Sequence, residues 1–244
     1  MQKPSCYCCS YRFETIHKLE TMTSPLSQTA NYAQDYSYVS KVFFYFGLAV
    51  LTSAAGTYTG FTYLAELFIA NPISMYVLFA VELIIIFTSR LWAEKRPLNY
   101  LLFIAFSFIT GVTIVPLLAL FLVEFGPAII IKALLATTCT FAATAIFGWV
   151  TKKNLSGMSG FLWAGLLGMI VVSVIGIFVP WGNTFEMVFA GIGVVLFSAF
   201  TMYDIQRIKM MQGMSPMEAA LNLYLDLFNL FIYILRLMGA VSRD

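Results

Sequence analysis

From Val42 onward, the chain alternates long apolar stretches with short polar breaks. Each stretch has about 20 residues or more, which is enough for an α-helix to cross the roughly 30 Å hydrocarbon core of a bilayer. Seven stretches fall near residues 42–65, 72–92, 98–123, 127–150, 160–180, 185–207 and 217–240. Helix-ending pairs such as Asn71-Pro72 and Gly126-Pro127 separate them. Because the stretches are continuously apolar rather than alternating, they indicate an all-α polytopic membrane protein, a seven-transmembrane-helix bundle, and exclude a β-barrel.

The balance of apolar and charged residues agrees with a membrane location. Of 244 residues, 60% are hydrophobic and 11% are charged, whereas a soluble domain carries about 25% charged residues. One soluble core cannot bury such a surplus of apolar side chains, so the outer surface must face lipid. A formal net charge of +2 is too small to suggest a nucleic-acid partner. The chain has no P-loop, zinc-protease or nucleophile-elbow motif, so we expect neither an enzyme nor a cofactor.

The first 40 residues differ in composition from the rest. They are rich in polar residues and lack an apolar stretch, so we expect residues 1–40 to form a disordered cytoplasmic tail and residues 41–244 to form the transmembrane domain. Three cysteines cluster in this tail: Cys6, Cys8 and Cys9. The only histidine, His17, is a poor fourth ligand, so we expect no metal site and leave lipidation or redox chemistry open.

Lysine and arginine residues sort to alternate loops of the predicted bundle. One set of loops carries most of them: Lys41, Arg90, Lys95, Arg96, Lys152, Lys153, Arg207 and Lys209. The other set carries acidic residues instead: Glu66, Glu124 and Glu186. Because positively charged loops stay on the cytoplasmic side during insertion, we expect a multi-pass protein with a cytoplasmic N-terminus.

The last apolar stretch is less regular than the other six. It contains Asp226 and Arg236, and Arg243 follows it. We expect a full span at the centre of the bundle, where the other helices shelter these charges from lipid. A re-entrant segment that returns to the cytoplasmic side is the alternative.

Two aspartates lie at membrane depth, where an ionisable side chain costs several kcal/mol unless it is paired or hydrated. Asp204 and Asp226 lie on opposite arms of a helical hairpin that turns near Gly213. At about 1.5 Å per residue, the two carboxyl groups meet if the helices are staggered. In a low dielectric both cannot ionise cheaply, so one keeps its proton. The spacing therefore predicts a proton-sensitive latch.

The second apolar stretch carries two more ionisable residues. Arg90 lies at its cytoplasmic end and can pair with either aspartate, which would give the latch two alternative partners. Glu82 lies two turns deeper on the same face and is a candidate way-station for a cation. The structural alternative is that these charges only neutralise one another and fix helix packing.

Glycines within the apolar stretches are typical of close helix packing. Small residues let two helix backbones approach each other in a membrane. We expect this role for four of them: Gly165, Gly168, Gly191 and Gly193.

Several segments resemble the Bax inhibitor-1 family of membrane proteins. The segments are 57–60 (TYTG), 107–116 (SFITGVTIVP), 202–209 (MYDIQRIK) and 221–239 (LNLYLDLFNLFIYILRLMG). The resemblance covers about residues 40–242. The chain looks like a bacterial member, since it lacks the lysine-rich C-terminal tail of the eukaryotic proteins.

The resemblance implies a seven-helix bundle with a central last helix that acts as a pH-sensitive calcium leak in the bacterial inner membrane. By the same resemblance, Asp204 and Asp226 are expected to form the proton sensor of this leak, and Glu82 is expected to face the ion path. An arginine of the second helix takes part in the switch, which places the role on Arg90 or on the nearby Arg96. Calcium is then the transported ion rather than a cofactor.

A second function follows from the same resemblance. Some bacterial relatives bind and modulate a membrane AAA protease, so the chain is alternatively an interaction protein without ion flux, with the 1–40 tail in its binding surface. An intramembrane aspartyl protease is disfavoured, because neither aspartate lies in the expected glycine-containing motif.

Overall fold

A computed structural model describes the backbone from Pro25 to Arg243, except at residues 65–67, 69, 70, 72, 93, 94, 180 and 212. Side chains are described from Tyr36 onward, also excepting those of residues 90 and 177. The tail cysteines and His17 therefore lie outside the described residues. So does Glu66.

The described residues are almost entirely helical and contain no β-strand. The α-helices in chain order are α1 (Pro25–Thr59), α2 (Ile73–Phe87), α3 (Ser89–Trp92), α4 (Leu98–Thr113), α5 (Val115–Phe125), α6 (Pro127–Val150), α7 (Ser159–Phe178), α8 (Asn183–Lys209) and α9 (Pro216–Arg243). A π-helical turn, Gly60–Leu64, extends α1, and a 3₁₀ turn, Ser156–Met158, precedes α7. The prediction of an all-α polytopic membrane protein is confirmed.

The predicted spans correspond closely to these helices. Within the described part of the chain, six helical segments are long and apolar enough to cross a membrane, including α4 and α5 taken together. The second predicted span contains the shorter α2, whose 15 residues extend about 22 Å. Lys41–Asp244 form one compact unit, but α1 begins at Pro25, within the segment predicted as a polar tail.

Proline and glycine set several of the helix ends. Pro116 has no N–H to donate to the carbonyl group of Val112, so the third predicted span is two helices joined end to end. Gly126 ends α5 in a backbone conformation with φ of 77°, which a glycine adopts without strain. Pro127 then begins α6, where its fixed φ suits the first helical turn. At the start of α9, the Ser215 hydroxyl accepts a hydrogen bond from the Glu218 N–H at 3.2 Å.

The last helix occupies the centre of the bundle, as predicted. It packs most extensively against α8 and also against α6 and α4. Leu223, Leu230 and Leu235 of this helix are completely buried. On the outer helices, large apolar side chains such as Phe87 and Val123 are exposed, as expected for residues that face lipid.

Two pairs of helices come into backbone contact through glycines that the sequence did not single out. A Cβ atom on Gly111 of α4 would overlap the Ser53 carbonyl oxygen of α1, and one on Gly148 of α6 would lie 2.5 Å from the Met202 carbonyl oxygen of α8. The predicted contacts hold for Gly165 and Gly193, whereas Gly168 and Gly191 have open space around them. The prediction of close helix packing is wrong for Gly168 and Gly191, because these two residues lie on helix faces that contact no neighbouring backbone.

Candidate functional site

The first polar group in the membrane region lies between α8 and α9, near the turn that joins them. Asp204 belongs to the last two turns of α8, and Asp226 belongs to the first half of α9. Both side chains are buried, with 6% of Asp204 and 5% of Asp226 exposed. They are close enough for the negative charge of Asp204 to act on Asp226. We call these two residues the aspartate pair.

The aspartate pair has few groups that could neutralise it. Arg207 Nη1 lies 3.8 Å from Asp204 Oδ1, which is an ion pair but too long for a hydrogen bond. The same guanidinium lies 5.4 Å from the centre of the Tyr203 ring. Asp226 Oδ2 is buried and has no hydrogen-bond partner among the described residues. Two carboxylates in this position repel each other in a low dielectric, and one shared proton removes the repulsion.

Arg90 and Arg96 are the two candidates for the predicted switch arginine, and the structure describes the side chain of Arg96 only. The backbone of Arg90 lies in α3, but its side chain lies outside the described residues, so its pairing with the aspartates stays a prediction. Arg96 is exposed and its guanidinium lies 6.0 Å from the centre of the Tyr100 ring. The arginine that contacts the aspartate pair in the described part of the chain is Arg207. Its contact with Asp204 was not predicted from the sequence, although the i+3 spacing of the two residues is a signal for it.

The second polar group lies on another face of α9. Glu82 of α2 is 8% exposed and accepts a hydrogen bond from the Thr113 hydroxyl of α4 at 3.0 Å. Thr110 also lies beside this carboxyl group. Its charge acts on the hydroxyl group of Tyr224. We call Glu82, Thr110, Thr113 and Tyr224 the hydroxyl site. The structure therefore places Glu82 in a group separate from the aspartate pair.

The end of α8 that carries Asp204 is fastened to the loop between α6 and α7. The buried Gln206 side chain accepts a hydrogen bond from the Leu155 N–H and donates one to the Lys153 carbonyl, both at 2.7 Å. Lys209 donates a hydrogen bond to the Trp149 carbonyl at 2.5 Å. These contacts hold the helix segment around Asp204 in a fixed position. Nothing in the sequence pattern indicated them, because they join residues about 50 positions apart.

The sequence that forms these two polar groups is similar to a family of known proteins. The model of the family described as inhibitor of apoptosis-promoting Bax1 matches residues 36–243. The chain belongs to the Bax inhibitor-1 family. It is 30% identical to an uncharacterised protein of Campylobacter jejuni over 84% of this chain and 89% of the relative. It is also 30% identical to a membrane protein of Streptococcus pyogenes, over 79% and 86% of the two chains. Bax inhibitor 1 of Schizosaccharomyces pombe is 30% identical, over 71% and 64% of the two chains.

In this Bax inhibitor-1 family protein, the last helix ends in a charged contact far from the aspartate pair. Arg243 Nε lies 2.7 Å from Glu124 Oε1, and its Nη2 lies 2.8 Å from Glu124 Oε2. Arg243 Nη1 lies 3.2 Å from Glu186 Oε2. Glu124 lies in the last turn of α5 and Glu186 lies in the first turn of α8. The helix α9 therefore runs from one end of the bundle to the other, which favours the full span over the re-entrant alternative.

Proposed function

We propose that this protein is a pH-sensitive calcium leak channel of the bacterial inner membrane. The observation that carries the proposal is the aspartate pair, Asp204 and Asp226, buried between the two helices that pack most extensively. Buried carboxyl groups at membrane depth are rare and typically serve ion or proton pathways. The same geometry would also suit a purely structural pair that shares a proton, and the experiments below separate the two roles.

The pair works as a latch because its charge depends on pH. With one shared proton, the carboxyl groups attract each other and hold α8 against α9. When that proton leaves, two negative charges face each other in a low dielectric, and among the described side chains Arg207 is the one near enough to compensate one of them. Loss of the proton therefore favours separation of the two helices. The two states differ in helix packing, which is what a gate requires.

Cation passage needs an attractive site along the path. Glu82 supplies the buried carboxyl group, and the hydroxyl groups of Thr110 and Thr113 lie beside it. Oxygen ligands of this kind suit calcium and other hard cations. Among the described side chains, the groups that act on Glu82 are hydroxyl groups rather than basic residues.

The topology assigned to the membrane follows from the charged loops. The end of the bundle with the aspartate pair also carries Lys153 and Lys209, and the opposite end carries Glu124 and Glu186. Since basic residues favour the cytoplasmic side, the sensor faces the cytoplasm. The gate then responds to cytoplasmic pH.

Calcium flux into liposomes that contain a calcium-sensitive dye tests the proposal. The purified protein is reconstituted, and the flux is scanned between about pH 6 and pH 8. A flux that depends on pH and exceeds that of protein-free liposomes supports a leak. No flux at any pH from protein that circular dichroism shows to be helical contradicts it, and favours the interaction with a membrane AAA protease instead.

A further inference from the structure

Tyr224 and Asp226 point from the same helix toward different neighbours. They are two residues apart, which places their side chains about 200° apart around a helix axis. Asp226 faces Asp204 of α8. Tyr224 faces α4, where its ring lies edge-on to Phe106 with ring centres 6.3 Å apart. One short segment of α9 therefore belongs to both polar groups.

The hydroxyl group of Tyr224 has an unusual environment for a buried phenol. The side chain is 2% exposed, and its oxygen is buried without a hydrogen bond of good geometry among the described residues. The hydroxyl groups of Ser53 and Thr110 are its polar neighbours, and the charge of Glu82 acts on it. Burying a hydroxyl group without a well-aligned hydrogen bond carries a free-energy penalty. A group that needs these oxygens would remove that penalty.

The oxygens around Tyr224 are of the kind that hard cations prefer as ligands. One carboxylate and several neutral hydroxyl groups converge from α1, α2, α4 and α9. Oxygen ligands with a single negative charge bind a divalent cation weakly, because affinity rises with the number of charged ligands. Weak binding is what a conducting path requires, since an ion must also leave.

We propose that the Tyr224 hydroxyl completes a cation site at Glu82 and that α9 couples this site to the aspartate pair. The inference rests on the leak function proposed above and names its regulation. A cation bound beside Glu82 adds positive charge near Asp226 and makes proton loss from the pair easier. By reciprocity, loss of that proton strengthens cation binding by the same factor.

Among the described side chains, few charged groups lie near this part of α9. Asp204 and Arg207 belong to α8, and Glu82 belongs to α2. The sequence of α4 contains no charged residue, and the one charged residue of α6, Lys132, is exposed. Glu124 and Glu186 contact Arg243 at the opposite end of the bundle.

The experiment compares two tyrosine substitutions on the same helix. Tyr224→Phe removes the hydroxyl group and keeps the ring. Tyr233→Phe is the matched control, because the Tyr233 ring stacks on Phe197 of α8 with ring centres 5.6 Å apart. The pH profile of calcium flux is recorded at low and high calcium for each protein.

For the unaltered protein and Tyr233→Phe, we expect high calcium to move the midpoint of the profile to lower pH by about 0.7 unit or more, the lower end of typical allosteric coupling. In Tyr224→Phe the midpoint should stay fixed while the flux remains pH-dependent. A midpoint that ignores calcium in the unaltered protein overturns the inference and leaves the leak intact. The same holds if Tyr224→Phe shifts like its control.

If neither the unaltered protein nor the variants conduct calcium, thermal unfolding in detergent still tests the cation site. We then expect calcium to raise the Tm of the unaltered protein and of Tyr233→Phe, but not of Tyr224→Phe or Glu82→Gln. That result supports the cation site while the leak function fails. An equal effect of calcium on all four proteins, or none on any, overturns the site.

Discussion

The aspartate pair and the hydroxyl site differ in how they hold charge inside the same bundle. The pair brings two like charges together, and among the described side chains Arg207 lies at a long distance from one of them. The hydroxyl site holds a single carboxyl group among neutral hydroxyl groups. Protonation changes the force between the aspartates from repulsion to attraction, whereas at Glu82 it only removes a charge. Because of this difference, the aspartate pair is suited to sensing protons, and the hydroxyl site is suited to attracting a cation.

The largest loss of stability is expected from a substitution that pushes α4, which carries Thr110 and Thr113 of the hydroxyl site, away from α1. Gly111→Ala would place a methyl group on the Ser53 carbonyl oxygen of α1, and the Thr57 hydroxyl also donates a hydrogen bond to the Gly111 carbonyl at 2.9 Å. Overpacking against backbone should destabilise the protein by about 3 kcal/mol or more. Thermal unfolding in detergent measures this loss as a lower Tm.

The control for this substitution is Gly191→Ala, since nothing lies within 4 Å of a Cβ atom at that position. It should leave the Tm almost unchanged. Equal stability of the two variants would show that α1 and α4 do not approach as closely as the structure has them.

A smaller effect is expected from Glu82→Gln, which removes the charge of the hydroxyl site and keeps its shape. We expect calcium flux to fall about tenfold, which corresponds to about 1.4 kcal/mol. The pH dependence should persist, because the aspartate pair is untouched. Glu218→Gln, in the first turn of α9, is the control and should conduct normally. A Glu82→Gln variant with full flux would remove Glu82 from the ion path.

The smallest effect is expected at the far end of α9. Arg243→Gln breaks the two-pronged contact with Glu124, but the groups are about one-third exposed. Exposed ion pairs contribute little to stability, so the Tm should fall slightly and the pH profile should not move. Lys152→Gln, at an exposed loop position, serves as the control. A shifted pH profile in Arg243→Gln would mean that both ends of the last helix take part in sensing.

The sequence predicted those features that follow from the local pattern. The apolar stretches predicted the helices, and Pro127 and Asn183 mark the starts of α6 and α8 within two residues of the predicted spans. Burial of Asp204 and Asp226 could be foreseen, because a charge in an apolar stretch of a bundle must face its interior. The position of the break at Pro116 was visible in the sequence, yet the stretch was interpreted as one helix.

Contacts between distant helices could not be read from the pattern. From the sequence alone, Tyr224 is an ordinary core residue. Only the structure shows that the hydroxyl groups of Ser53 and Thr110 lie beside it. The anchoring role of Gln206 requires the position of the loop near Lys153. Both depend on which helix faces meet, and this depends on side-chain packing over the whole bundle.

The role of the aspartate pair as a proton sensor is tested by the pH profile of calcium flux in the Asp204→Asn/Asp226→Asn double variant. Asparagine keeps the size of each side chain and removes its titration, so the latch can no longer respond to protons. Glu218→Gln is again the control and should keep the profile of the unaltered protein. We predict a flux in the double variant that stays constant between about pH 6 and pH 8. A double variant that conducts with an unchanged pH dependence would contradict the assignment of Asp204 and Asp226 as the proton sensor.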